Sequence, residues 1–462
     1  MQRLAVVILA AGQSKRMKSK TSKVLHPLAG LPLVSYPIRE AGLLKPQKVV
    51  VVVGKGQKSA FQEKLNEKFD FEYCIQNGAR GTGDAVISSK KYLKDHDGHV
   101  LILPGDVPLI TSTVIAEFIK RFEEENVDCA VISTLLPDPT SYGRILRDES
   151  GEFVAIREEK DASGDEKGVN EINTGIFLAR SKWLFKMLQK IKPHNAQKEY
   201  YLTDVVELAI SEGRRVFAHL LQPHDQFLGV NDRFDLAYSN KLMSLSIAEG
   251  WMERGVSIQD PDQTYIDYNV KIGQDTVVAP FTFLKGSTTI GKGCLIEAGA
   301  VLEDVTIGDN VHIKPYSVIE KSQIKEGAVV GPFSRVRPDS LIDKGAKVGN
   351  FVEIKKSVLK PGVKANHLSY IGDATIGAKT NVGCGTITCN YDGVGKHRTV
   401  LGEDVFVGSD VQFVAPVKVG KGSVIGAGST ITKNVPAGSL ALSRAEQVNV
   451  KGWALKHKKK KK

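Results

Sequence analysis

Three short stretches in the first half of the chain carry residues suited to anionic chemistry. The run Leu9-Ala10-Ala11-Gly12-Gln13-Ser14-Lys15-Arg16-Met17 directly follows an apolar segment. A small, glycine-containing loop after a strand lets backbone N–H groups close on phosphate oxygens, and Lys15, Arg16 and Lys23 add positive charge. The loop is neither a Walker A sequence nor a G-x-G-x-x-G fingerprint, so an ordinary strand-to-helix turn fits it equally well. Gln76 to Thr82 is a second small, polar loop, suited to reading the edge of a base through amides. Leu103-Pro104-Gly105-Asp106 puts a carboxylate just past an apolar run. A hard oxygen there suits Mg²⁺ bound together with substrate phosphates, although a lone aspartate after a strand is more often a helix cap. The second half offers a different chemistry. An imidazole such as His367 can take a proton from an amine near neutral pH, and Glu353 could orient it and stabilise its charged form. Taken alone, an isolated histidine is more often a surface or packing residue.

These residues need elements to hold them. Leu4–Leu9, Lys48–Val53, His99–Leu103 and Cys129–Leu135 are β-branched or apolar runs of strand length. Between them lie helix-like segments at Leu33–Leu44, Ser59–Lys68 and Thr113–Glu125. That alternation predicts an α/β fold with a mostly parallel sheet and helices on both faces, its ligands bound outside the carboxyl ends of the strands. Asp232 to Arg254 reads as one long connecting helix with Phe234, Ala237, Leu242, Leu245 and Met252 as its apolar positions, ended by Gly255.

Beyond residue 255 the period changes to six. Ile272, Val278, Leu284, Ile290, Ile296 and Leu302 follow one another, then Ile307, Ile313 and Ile319, then Ile324 through Ile354, and later Leu401 through Ile431. Neither a helix nor an alternating strand gives this period. A solenoid of short strands and tight turns does, with one branched residue per strand stacked inside. The beat lapses at Lys355–Ser369 and at Thr388–Val400, which predicts two surface excursions carrying His367, Tyr370, Asn390, Tyr391 and His397.

Composition sets the outer bounds. The 462 residues are 42% hydrophobic and 25% charged, a globular balance with room for about two to four domains. No apolar run approaches the roughly 18 residues of a membrane span. The start, MQRLAVVILAAG, has the ingredients of a signal peptide, but its apolar stretch is short and runs straight into the patterned loop. Five cysteines without a CxxC pair read as reduced cytosolic thiols, with neither a disulfide framework nor a zinc site, and the chain as cytoplasmic. The formal charge of +11 includes six lysines within Lys456–Lys462. Such a tail can touch nucleic acid or anionic lipid. Without interleaved aromatics it reads as a solvated, disordered end, and no stable nucleic-acid or membrane partner is expected.

The hexad repeat resembles the left-handed β-helix of the hexapeptide-repeat acyltransferases, and the handedness comes from that resemblance. The first half is similar to the sugar-nucleotide pyrophosphorylases. The similarity rests on the Leu9–Met17 loop, Lys23-Val24-Leu25, Gly81-Thr82, Gly105-Asp106-Val107-Pro108, Tyr142-Gly143-Arg144-Ile145, Glu158–Asp161, Glu171–Gly175, Glu199–Asp204 and Gly229-Val230-Asn231. With the halves joined, about residues 4–453 resemble the bacterial family that combines UDP-N-acetylglucosamine pyrophosphorylase with glucosamine-1-phosphate N-acetyltransferase. Lys355-Lys356, Asn366–Tyr370 and Cys389–Gly393 carry the match in the second half.

The resemblance implies a Rossmann-like nucleotidyltransferase domain over 1–231, a helical linker over 232–254, a left-handed parallel β-helix over 255–453 and a basic tail over 454–462. It implies Mg²⁺ on Asp106 and Asn231. UTP and N-acetylglucosamine 1-phosphate would meet Leu9, Ala10, Ala11, Gly12, Arg16, Lys23, Gln76, Gly81, Thr82, Gly143, Glu158, Asn173 and Asn231. In the second half His367 would be the base with Glu353 its partner. Arg337, Lys355, Tyr370 and Asn381 would hold glucosamine 1-phosphate. Cys384, Asn390, Tyr391, Ser409, Ala427 and Arg444 would line the acetyl-CoA site. Cys384 stands where alanine is expected in this family; a small thiol still fits and implies sensitivity to thiol reagents. The Asn390 loop would reach a neighbouring subunit of a homotrimer. Two other readings compete: a nucleotidyltransferase whose β-helix only assembles the trimer, and a silent scaffold shaped like a pyrophosphorylase. Intact His367, Glu353 and Asn390 argue against the first, and Arg16, Lys23 and Asp106 against the second.

Overall fold

The computed structural model describes residues 3–12, 16–65 and 70–458. The chain divides into two compact units, Met1–Met243 and Ser244–Lys462.

The first unit is built on β1 (Leu4–Leu9), β2 (Lys48–Gly54), β3 (Glu72–Gln76), β4 (His99–Pro104), β5 (Cys129–Leu135), β6 (Arg144–Arg147), β7 (Phe153–Arg157), β8 (Glu171–Arg180) and β9 (Val216–Leu220). The main sheet runs β9-β5-β8-β4-β1-β2-β3, with β6 and β7 attached through β8. Its pairs are parallel except where β8 lies antiparallel between β4 and β5. Strands covered on both faces read as unbroken apolar runs, and Val50–Val53 are wholly buried. One face is covered by α1 (Ser35–Leu43) and, after the short α2 (Lys58–Lys64), by α4 (Ser112–Glu125). The other is covered by α3 (Thr82–Ser89), α5 (Ser181–Leu188) and α6 (Asp204–Ser211). Helix α4 shows the local logic. Ile115, Phe118, Ile119 and Phe122 form its buried stripe, Thr111 caps its start, and Asn126 in the left-handed conformation ends it. The registers Leu9↔Val52 and Leu9↔Pro104 bring the carboxyl ends of β1, β2 and β4 to one edge, where the expected ligand loops open.

The second unit is an all-parallel, left-handed β-helix of strands two to nine residues long. The inward residues stack coil on coil, as in Ile272, Ile290, Ile307, Ile324, Ile342, Leu359, Ile376, Leu401 and Val419. All the hexad residues named above from Ile272 to Ile431 are buried. Corners take left-handed backbone conformations at Asp275, Asp304, Asn310, Asp339 and Asp410, among others, and small polar side chains tolerate that region best. A second column was not read from the sequence. Buried Ser and Thr hydroxyls close the corners by bonding the next coil, as Ser322 does to the Arg337 carbonyl at 2.9 Å and Ser357 to that of Ile371 at 3.2 Å.

Several expectations are corrected. No excursion occurs at Lys355–Ser369: Lys347–Lys355 pairs in register with Lys364–Gly372, and the inward positions pass through Leu359 and Ala365. A five-residue step and an alanine hid the beat. The second excursion is present at 390–398, between Thr388 and Leu401. The long helix, α7, runs Arg233–Met252, but Phe234 is 87% exposed, while Met243 and Ala248 are buried instead. Helix α2 ends at Lys64, and the remainder of the expected Ser59–Lys68 helix runs into residues 66–69, outside the described set. Gln13, Ser14 and Lys15 of the first loop also lie outside it. The tail begins with a helix, Trp453–Lys458, rather than as disordered chain; its last four residues are not among those described.

Ile324 is fully enclosed by its column. Ile324→Ala should cost about 2–5 kcal/mol of stability in the β-helix, read as a lowered urea midpoint.

Candidate active sites

In the first unit a cavity of about 600 Å³ opens at the carboxyl edge of the sheet. Leu9, Ala11 and Gly12 reach it from β1, Gln76, Gly81 and Thr82 from the β3–α3 loop, and Asp106 and Asn231 from beyond β4 and before α7. Gly143, Glu158 and Asn173 come from the β6–β8 side. Gly81 is fixed by geometry. Its φ is +103°, and a Cβ there would lie 2.5 Å from the Tyr200 carbonyl oxygen. Gln76 donates to the Gly81 carbonyl at 3.1 Å and to Asp84 at 2.9 Å, which sets the pitch of the loop. The Asn173 N–H bonds the Gly143 carbonyl at 2.8 Å. Burial pushes the Glu158 carboxyl above its ordinary range, partly offset by a 3.1 Å bond from Thr203, with Asp161 and Glu199 adding repulsion.

Asp106 and Asn231 converge. The Lys23 ammonium bonds the Asp106 carboxylate and reaches the Asn231 amide oxygen at 3.1 Å, and Val230 N–H bonds the Asp106 carbonyl at 2.8 Å. A cation thus already sits between the two oxygens, and both are hard donors of the kind Mg²⁺ takes beside phosphates. Three residues expected at this site do not line the cavity: Lys23, which reaches its edge only through its bonds to Asp106 and Asn231, Ala10 and Arg16. Ala10 is 1% exposed and packs in the core, and Arg16 is exposed and does not line the cavity, although its charge acts on Tyr142. Tyr142, Glu199 and Thr203 line the cavity without having been singled out. Each stands inside a quoted motif, but nothing in spacing alone marks it as facing inward.

In the second unit His367 is exposed and lines a cavity of about 490 Å³ with His312, Lys314, Lys347, Asn350 and Asn366. Register places Asn350 beside His367 and Glu353 beside Tyr370, on either side of the corner at Phe351 and Leu368. Glu353 accepts from Arg337 at 3.0 Å, and among the described residues no hydrogen bond joins it to His367. Arg337, Glu353, Lys355 and Tyr370 therefore form one group, while His367 stands apart from it within the chain. Lys396, overlooked in the sequence, joins that group: the neighbouring Lys355 ammonium holds its pKa below the ordinary lysine value. Two ammonium groups pressed together are a receptor for an anion.

Asn381 lies on the next coil, paired with Phe406. Exposed Cys384, Ser409 and Ala427 mark successive coils at one corner. Asp410 N–H bonds the Cys384 carbonyl at 2.6 Å, Gly428 N–H bonds that of Ser409 at 2.9 Å, and Arg444 bonds that of Ala427 at 3.1 Å. Asn390 is buried, its amide donating to Asp373, so what projects from the excursion is Tyr391, 61% exposed, and Val394. Asp392 staples that loop by accepting from Val394, Gly395 and His397, which holds its carboxyl far below the usual range.

Comparison with known proteins is consistent with this division. A model of the MobA-like NTP transferase domain matches residues 6–162, one of the bacterial transferase hexapeptide (six repeats) matches 287–321, and one of the GMPPB C-terminal domain matches 318–417. The chain is 45% identical over 460 residues to the Bifunctional protein GlmU of Pelobacter propionicus, covering 100% of each. It is 48% identical to that of Syntrophotalea carbinolica, covering 98% of this chain and 97% of the relative. It is 44% identical to that of Brevibacillus brevis, covering 100% and 99%.

Asp204, at the start of α6, is pushed up to about 6 by burial and by Glu207, Glu158 and Asp161. The native chain then holds this proton more tightly than the unfolded one, so stability falls as pH rises from about 4 towards 6 and is level above. Asp204→Asn should remove that slope. In thermal melts it is expected to stabilise the protein at pH 8 by about 1 kcal/mol, solvent screening the remainder, and to give no advantage below about pH 4.

Proposed function

The chain belongs to the family of bifunctional GlmU proteins, and on that premise we propose how its two sites divide the work. The second unit transfers an acetyl group from acetyl-CoA to the amine of glucosamine 1-phosphate. The first then transfers uridylyl from UTP to N-acetylglucosamine 1-phosphate, giving UDP-N-acetylglucosamine and pyrophosphate for cell-wall precursors: peptidoglycan, and lipopolysaccharide where the organism makes it. The observation that carries the first reaction is that Asp106 and Asn231, both bonded by Lys23, converge in a cavity that also gathers Gln76, Gly81, Glu158 and Asn173.

In uridylyl transfer a phosphate oxygen of the sugar phosphate attacks the α-phosphorus of UTP, and pyrophosphate leaves. The nucleophile is already an anion and needs no base. The protein's task is positioning and charge neutralisation. Lys23 and Arg16 meet the phosphates. Gln76, Gly81 and Thr82 read the uracil, and the Leu9–Gly12 backbone borders the nucleotide. Gly143, Glu158 and Asn173 grip the N-acetyl sugar. Asp106 and Asn231 would hold Mg²⁺, which when bound neutralises phosphate charge.

In acetyl transfer the ammonium must lose a proton before its nitrogen can attack the thioester carbon, and the thiolate of CoA leaves. His367 takes that proton, and Glu353, which within one chain bonds Arg337 and not His367, becomes its partner where two copies meet. Arg337, Lys355 and Tyr370, joined by Lys396 and Asn381, hold the sugar phosphate. The corner carrying Cys384, Ser409, Ala427 and Arg444, with Asn390 and Tyr391, receives acetyl-CoA. Because Glu353 is engaged by Arg337 on the far side of a corner from His367, a second copy of the chain supplies the missing side of the site. A homotrimer is supported by an exposed ladder beside the His367 cavity, in which Tyr316, Phe333 and Phe351 stack at 5.3 and 5.6 Å. Action in the cytoplasm is supported by five free cysteines.

His367→Ala should lower glucosamine-1-phosphate-dependent CoA release by about 10²–10⁴-fold and leave pyrophosphate release unchanged. Asp106→Ala should do the reverse, and a pair of variants that affect both reactions or neither would refute the two-site reading. Phe351→Glu should shift the sedimenting species from trimer towards monomer and take acetylation, but not uridylyl transfer, with it.

A further inference from the structure

The first unit holds another cavity, of about 1010 Å³, away from the site just described. Lys90, Lys91 and Lys94, from the segment after α3, and Lys182 and Lys186, from α5, line it. Its floor is apolar: Leu93 and Phe185 are 3% and 7% exposed, and Ile87 lies beside them. It occupies the opposite edge of the sheet. His96 and Asp97 precede β4 and Ser181 follows β8, whereas the catalytic cavity takes the other ends of the same strands, at Pro104 and Asn173.

Some lysines elsewhere in the chain find carboxylates, as Lys48 does Glu72, Lys190 Glu212, Lys344 Glu326 and Lys421 Glu403, while others among the described residues stand free in solvent, so it is the gathering of five around one cavity that sets these apart. Among the described residues none of the five cavity lysines makes an ion pair. The carboxylates at the rim are Asp95 and Asp97, and Asp97 faces Arg3 at 3.7 Å. Helix electrostatics explain part of the cluster, since Lys90 and Lys91 follow the carboxyl end of α3, where cations are favoured. They do not explain Lys182, which sits in the first turn of α5 against the helix dipole and one turn from Lys186, a like-charge spacing that repels. Only Lys182 stands against both effects; Lys91 lies over the Tyr92 ring at 4.9 Å and the charge of Lys186 acts on Glu212, yet five cations around an apolar floor still suit an anion with a flat, apolar part.

We propose that this cavity binds a nucleoside triphosphate, the phosphoryl groups among the five lysines and the base on the floor of Ile87, Leu93 and Phe185. It is separate from the catalytic cavity, so its ligand does not compete with the substrates of uridylyl transfer. The probe is ATP, titrated at low salt and without divalent cations into the full-length protein with its catalytic cavity saturated by UDP-N-acetylglucosamine. A saturable component is expected that the nucleotide sugar does not displace. Lys182→Glu with Lys186→Glu, and separately Lys90→Glu with Lys91→Glu, should each weaken that component by about tenfold or more. Pyrophosphate release should be unchanged in both variants, which reports an intact fold. Inorganic tripolyphosphate, which cannot use the floor, should bind about tenfold more weakly than ATP. If no component of ATP binding responds to either pair of reversals, the site does not exist. If tripolyphosphate binds as tightly as ATP, the nucleotide assignment fails.

Discussion

Parallel pairing obliges the chain to travel back to the same edge before each new strand begins. In the first unit the return journeys are helices, and the edge where β1, β2 and β4 finish collects the loops after Leu9, Gln76 and Pro104. In the second unit the return journey is one circuit of the coil, and each circuit delivers a residue to the same height on the same face. Both sites are assembled from residues far apart in sequence for this one reason. Bonds between loops far apart in sequence bring Asp106 to Asn231, through Lys23 and the Val230 N–H, and strand register lays Tyr370 beside Glu353.

The two sites treat charge in opposite ways. In the first, the ammonium of Lys23 is already compensated by Asp106, and burial biases Glu158 towards its protonated form. That arrangement limits the uncompensated charge facing the polyanionic substrate. In the second, Lys355 and Lys396 stand together with no ion pair to a carboxylate among the described residues, and the pair carries a repulsion that a bound anion would relieve. The cation pair stands on one side of the corner and the His367 imidazole, the proposed base, on the other.

Much of this was legible in the residues. The strand at Leu4–Leu9 and the one at Cys129–Leu135 have the bounds their apolar runs suggest, because strands buried on both faces have nothing else to be. The hexad positions named from Ile272 to Ile431 all lie inside. What failed did so for identifiable reasons. Ala365 fills an inward position that a search for large branched residues passes over, so a continuous coil looked like an excursion. Phe234 is hydrophobic yet exposed, because helical spacing cannot say which stripe meets the core when several apolar positions compete. Lys396 gave no signal at all: its role comes from Lys355, a neighbour only in space.

The hydroxyl column of the β-helix has a consequence for how such a chain can change length. Ser322 and Ser357 bond equivalent carbonyls of the coil that follows, so each turn offers its neighbours the same sockets it receives. Removing or duplicating one whole circuit leaves the interior jigsaw closed. A storey added below Lys347 would keep the register above it, whereas one spliced between Lys347 and Ala427 would separate residues that now stand level.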